Sequence, residues 1–168
     1  YDIAYQYEQT NFPFRSNNKL EWGYRIGGDG DEYPNRMIKD DAGNLYITGR
    51  FYNTVDFDPG PDSSIVTSVN VTDIFIAKYD SSGQLVWVRS MGGLVNEGGS
   101  NLALDQQGNI YMVGEFGGTV DFDPGPSVYS LTAETLGDEF ILKLDSGGNF
   151  IWAKRFARDG SHNSTIIA

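Results

Sequence analysis

Two aspartates one residue apart, followed by Pro-Gly, occur twice in this chain: Asp56-Phe57-Asp58-Pro59-Gly60 and Asp121-Phe122-Asp123-Pro124-Gly125. Ca2+ takes about six to eight oxygen ligands, and carboxylates at alternate positions of a turn can supply several of them. The pattern predicts calcium at Asp56, Asp58, Asp121 and Asp123, and Ca2+ is the one cofactor the sequence suggests. The loop is incomplete as a calcium motif, because a third Asp or Asn and a distal bidentate Glu are missing. Asp62 offers a further oxygen in the first copy, but Ser127 stands at that place in the second. The competing reading, and the preferred one, is a rigid corner. Pro sets φ, Gly turns the chain, Asp bonds the backbone ahead of it, and Phe57 or Phe122 plugs into a core.

Other titratable residues point less clearly to chemistry. Glu32 and Glu97 each follow a Gly-Gly pair. They are candidates for a binding face at one end of a central channel, holding a cation or a basic ligand. The competing role is to cap the backbone of a connecting loop. The single histidine, His162, has no recognisable triad or metal partners and reads as a surface residue. Paired carboxylates would suffice for glycoside hydrolysis, but nothing singles out a pair among 23 acidic residues. Recurrence of Asp56 and Asp58 as Asp121 and Asp123 argues against catalysis, since an active site is usually built once. No catalytic residue is assigned.

The elements that carry these residues repeat with a period of 65. Trp22, Trp87 and Trp152 are spaced by it, and 26 of the 65 positions in residues 22–86 recur in 87–151 without a gap. A period of this size marks a repeat architecture. The chain divides into an irregular arm with the remnant of a preceding unit (1–21), two repeats (22–86 and 87–151) and the start of a third (152–168). The expectation is a segment of a longer array.

Within a unit the strand signals are strong. The second unit predicts strands at Leu85–Ser90, Ser100–Asp105, Ile110–Phe116 and Glu139–Leu144, and then Phe150–Arg155 begins the next. The first repeats them at Met37–Asp40, Leu45–Phe51, Ile74–Tyr79 and Leu85–Arg89. Met91–Gly99 reads as a Gly-rich connection. The signature stretch lies in a connection of roughly 20 residues, with a further strand possible at Val128–Ala133. Asp…Gly turns at Asp40–Asn44, Asp80–Gly83, Asp105–Asn109 and Asp145–Gly148 suit hairpins with a positive-φ glycine. Several strands, such as Ile74-Phe75-Ile76-Ala77, are apolar on both faces, so their sheets need cover on both sides. Four-stranded antiparallel units that cover one another make an all-β protein built of β-propeller blades. The tight turns then lie on one face of the disc. The signature loops and Gly-Gly connections lie on the other, which is the better place for function.

Composition narrows the partners. A formal net charge of −11 and a pI near 4.3 argue against nucleic acid and anionic membranes. There is no cysteine, which removes disulfides and thiolate metal sites. No stretch approaches the ~20 apolar residues of a membrane helix.

The repeat resembles the bacterial SBBP propeller repeats. The motifs that carry the resemblance are Gly43–Gly49, Thr54–Gly60, Asp73–Lys78 and Gly83–Trp87, with second copies at Gly108–Gly114, Thr119–Gly125, Asp138–Lys143 and Gly148–Trp152. The resemblance covers residues 16–168. It implies a secreted or cell-surface propeller of Bacteroidota and related bacteria, with no single activity attached to the family. The functional expectation is a non-catalytic scaffold or adhesion module that binds a protein or glycan through its long-loop face, alongside further propeller repeats of the same or other chains. The alternatives are a propeller-borne polysaccharide hydrolase or lyase, and a subunit whose blades are completed by other chains.

Overall fold

The computed structural model describes residues 26–134 and 137–157. Tyr1–Gln9, Trp22 and His162 lie outside the described residues. Those described form strands, turns and loops, with no helix among them.

The described residues form thirteen strands, in order. They are β1 (Gly27–Gly28), β2 (Asp31–Lys39), β3 (Leu45–Tyr52), β4 (Thr54–Asp56), β5 (Ile65–Thr67), β6 (Asp73–Tyr79) and β7 (Leu85–Met91), then β8 (Gly98–Leu104), β9 (Ile110–Phe116), β10 (Thr119–Asp121), β11 (Ser130–Thr132), β12 (Asp138–Leu144) and β13 (Phe150–Phe156). Two four-stranded antiparallel sheets, β2-β3-β6-β7 and β8-β9-β12-β13, are the expected units.

The turns do what their residues demand. Gly43, Gly83, Gly108 and Gly148 all take positive φ, between 77° and 88°. At each, the opening aspartate accepts backbone amides: Asp40 Oδ1 from Asn44 at 2.8 Å, and Asp105 Oδ1 from Asn109 at 2.8 Å. All four turns lie at one end of the sheets. The β3–β6, β7–β8 and β9–β12 connections lie at the other.

Three boundaries differ from the sequence expectation. β2 begins at Asp31 rather than Met37, although it contains Pro34 and few apolar residues. It is an edge strand, where a missing N–H is tolerated, and the register shifts between Pro34 and Arg36 to accommodate it. The Gly-rich connection is shorter than expected, because Met91 ends β7 while Gly98 and Gly99 belong to β8. The further strand expected at Val128–Ala133 is present but shorter, as β11; it pairs with β10, as β5 does with β4, so each signature stretch supplies one strand and part of the turn of a small hairpin.

The sheets pack face to face. Tyr46, Ile74, Ile76 and Met91 of the first share one core with Leu102, Ile110, Met112, Phe140 and Leu142 of the second. Thr48 Oγ1 lies 3.0 Å from Met112 Sδ, and Asn35 Nδ2 donates to Gly99 O at 2.7 Å. Arg89 of β7 donates to the carbonyls of Gly147 and Gly148 in the facing turn. On the far side of the first sheet, Phe51, Val55, Phe57, Phe75, Ala77 and Tyr79 form a second cluster under the β4–β5 hairpin. β6 is therefore covered on both faces, as its unbroken apolar run requires, and every residue but Lys78 is buried. In β12 burial alternates, with Ile141 and Lys143 only half-buried.

Candidate functional site

Three places bring functional side chains together. The first is the pair of corners. Asp56 Oδ1 accepts the amides of Asp58 (3.0 Å) and Ser64 (2.8 Å), and Asp58 Oδ1 accepts Gly60 N (2.7 Å). The second copy matches: Asp121 Oδ1 takes Asp123 N (3.0 Å) and Tyr129 N (2.8 Å), and Asp123 Oδ1 takes Gly125 N (2.8 Å). The amides of Ser64 and Asp58 hold Asp56 below the usual carboxylate range. Phe57 and Phe122 are fully buried, and Tyr79 Oη donates to Phe57 O at 2.9 Å. The aspartate-to-backbone bonds and the Phe plugs of the rigid corner are present, and one oxygen of each aspartate is committed to it, while Gly60 and Gly125 turn the chain without positive φ. Asp121→Ala strips two amides of their charged acceptor. The expected loss is about 1–3 kcal/mol in urea denaturation; an unchanged midpoint would remove the corner role.

The second place is a cleft of roughly 610 Å3 at the long-loop end, lined by Tyr33, Arg50, Tyr52, Asn70, Val71, Thr72 and Asn96. The start of β2, the end of β3 and the segments before β6 and β8 converge there. The Arg50 guanidinium sits 5.3 Å over the Tyr33 ring, and Tyr52 Oη donates to Asp31 Oδ2 at 2.6 Å. Thr72 Oγ1 is within 3.4 Å of Asn96 Oδ1 and 3.1 Å of Glu97 O. The lining departs from the repeat. One period on, Tyr33, Arg50, Tyr52 and Asn70 become Gly98, Glu115, Gly117 and Thr135. The corners and cores recur in sequence, whereas these lining residues do not. Sequence reasoning that followed the recurring residues passed over these positions; the mismatches between the two copies were the signal that could have found them.

The third place is buried. Asp73 is 2% exposed and Glu97 3% exposed. Glu97 therefore does not stand on an open binding face, and Glu32, its counterpart, is half-buried in β2. Asp73 lies against Gly92 so closely that an added Cβ would fall 2.1 Å from its carboxyl carbon; at Gly93 a Cβ would fall 3.2 Å from Glu97 Oε1. Asp73 Oδ2 accepts Val69 N at 3.0 Å. Asp73 Oδ1 and both oxygens of Glu97 have no hydrogen-bond partner. The second sheet handles the same aspartate differently: Asp138, also buried, accepts Arg155 Nη1 at 2.8 Å and Glu134 N at 2.8 Å. At the place of Arg155 the first sheet has Ser90.

Burial, and then the charge of Asp73, push the Glu97 carboxyl up to about 7, against weaker opposing influence from the nearby amides of Gly93 and Val95. Burial also raises Asp73. A carboxyl whose folded pKa exceeds its unfolded value supports the fold below the unfolded pKa and withdraws that support as pH rises through the folded one. In metal-free buffer, stability should therefore fall as pH rises from about 4.5 to about 7. Glu97→Gln should flatten that slope in urea titrations at stepped pH.

The chain matches no protein-family profile. It is 25% identical over 138 residues to the uncharacterized WD repeat-containing protein L264 of Acanthamoeba polyphaga mimivirus, an alignment covering 77% of this chain and 10% of that protein. It is 27% identical over 97 residues to the regulatory protein FlaEY of Caulobacter vibrioides, covering 58% of this chain and 10% of that one. The chain thus spans about a tenth of the length of these relatives. The all-β, antiparallel, repeated architecture agrees with the WD-repeat similarity.

Proposed function

We propose that these sheets are blades of a β-propeller, and that the chain is a non-catalytic interaction module which captures a protein partner in the cleft at its long-loop end. The observation that carries this reading is the clustering of non-repeated residues. Tyr33, Arg50, Tyr52, Asn70 and Asn96 come from four segments, break the 65-residue pattern, and meet in one cleft. Residues needed only for the fold recur in both units. Aromatic rings beside an arginine and two side-chain amides suit an extended peptide: rings pack on its side chains and amides bond its backbone. The WD-repeat similarity supports a repeat-based interaction role. The outward face of β12, where Glu139, Ile141 and Lys143 are only half-buried, leaves a side of the sheet on which a further blade can pack, from the same or another chain. The resemblance to SBBP repeats supports an extracellular or cell-surface setting.

Peptide-display selection against the whole chain tests the cleft. Selected peptides should lose at least about tenfold in affinity for the Tyr33→Ala/Arg50→Ala variant, a loss that one or two interface anchors supply. Both side chains are exposed, and the variant should keep its melting temperature. Undiminished binding to the variant would contradict the assignment.

A further inference from the structure

We propose that Asp73 and Glu97 hold a hard, oxygen-seeking cation, Ca2+ in the first instance, at the junction between the two sheets. The site is distinct from the aspartate corners. It consists of two carboxylates, each at least nine-tenths buried; Asp73 Oδ1 and both Glu97 oxygens complete no hydrogen bond, and the amides of Gly93 and Val95 approach Glu97 only weakly. No ion pair among the described residues reaches either one; those present belong to the second sheet. Two buried negative charges without a counter-charge are costly, and proteins meet that cost by pairing them or by coordinating a metal.

The second sheet shows what the position requires. There the equivalent aspartate, Asp138, is met by the guanidinium of Arg155, and the first sheet has lost that group to Ser90 while gaining Glu97 nearby. A cation between Asp73 and Glu97 would supply the missing positive charge. Gly92 and Gly93 bring the backbone against the two carboxylates without a side chain in the way. The carbonyl of Thr119 closes on the same glycine as Glu97 Oε1: a Cβ on Gly93 would fall 2.5 Å from Thr119 O. Two carboxylates, a backbone carbonyl and water form the irregular oxygen shell that Ca2+ accepts. Mg2+ requires near-ideal octahedral geometry and gives up its water reluctantly.

The test uses the full chain, freed of metal by chelator and dialysis, and Ca2+ as the probe. Saturating Ca2+ should raise the melting temperature by about 5 °C or more over chelator. Calorimetric titration should show a binding event that Glu97→Gln and Asp73→Asn abolish. Ser90→Arg, which restores the guanidinium of the second sheet, should also abolish the Ca2+ shift while leaving the chain folded in chelator. Asp121→Asn, at a corner, should leave the shift intact. The Ser90→Arg arm keeps the test decisive if the acid variants fold poorly. The proposal is overturned if Ca2+ leaves the melt unchanged, if NaCl of equal ionic strength gives the same shift, or if the shift survives Glu97→Gln and disappears with Asp121→Asn. In the first case a proton, not a metal, neutralises the pair. The site adjoins the cleft, since Asp73 follows Thr72 and Glu97 follows Asn96; the two readings are separated by the Tyr33→Ala/Arg50→Ala variant, which should lose peptide binding and keep the Ca2+ shift.

Discussion

Phe122→Ala lowers the unfolding free energy by about 3–5 kcal/mol, the range for removing a buried aromatic side chain. The ring is fully buried. It stands edge-on to Phe116, with centroids 5.2 Å apart, and tilted against Phe140 at 4.8 Å. These contacts pin the β10–β11 hairpin to the sheet. Removal leaves a cavity that the neighbours cannot fill, because Phe116 and Phe140 stem from adjacent hydrogen-bonded strands. A domain has about 5–15 kcal/mol in total, so the variant should unfold at a much lower urea concentration. Phe57 has the same two neighbours in the first sheet, Phe51 at 5.5 Å and Phe75 at 5.0 Å. Val128 is 75% exposed on the same hairpin tip, and Val128→Ala should change stability by less than about 0.5 kcal/mol. If the two variants melted alike, the hairpin would not be a plug for the core.

Gly114→Val is expected to be comparably damaging by the opposite route. Gly114 lies in β9, opposite Phe140 in β12 and Gly99 in β8. A Cβ there would fall 2.1 Å from Gly98 O and 2.8 Å from the Phe140 ring. The carbonyl belongs to a paired strand and the ring to a filled core, so neither can retreat cheaply. Overpacking of this kind costs about 1–3 kcal/mol, and more where backbone must move. Gly49 repeats the arrangement, with a Cβ 2.0 Å from Tyr33 O. A valine tolerated at both positions without loss of stability would contradict the observed sheet geometry.

Much of this architecture was legible in the sequence because it recurs. A residue kept at an offset of 65 serves the fold in both copies: glycines with positive φ, the aspartates beneath them, the Phe plugs and the apolar strand cores. The Asp-x-Asp corners were also legible, since Asp, Pro and Gly each act on their own local backbone. What escaped depends on distant segments. Nothing in Asp31-Glu32-Tyr33-Pro34 announces a strand; pairing with β3 imposes it. The strand at Val128–Ala133 was legible, and it is β11, but its pairing was not: these hairpins exist because residues such as Val55 and Val66, 11 apart in the chain, find one another across a loop. Glu97 suggested a channel or loop-capping residue because it recurs with Glu32 after a Gly-Gly pair, and the amides of Gly93 and Val95 do approach its carboxylate. Its burial follows from the second sheet closing over the β7–β8 segment, a consequence of packing that no local pattern encodes. The cleft escaped for the converse reason: its residues are the ones that fail to recur.

The central claim is that the non-repeating cleft is where this chain meets its partner. The most direct test is to map a display-selected peptide by amide chemical-shift perturbation on the isotope-labelled chain. The account predicts shifts concentrated at Tyr33, Arg50, Tyr52, Asn70, Thr72 and Asn96, while the turns Asp40–Asn44 and Asp80–Gln84 at the opposite end stay still. Perturbations confined to those turns, or spread along the outward face of β12, would contradict it.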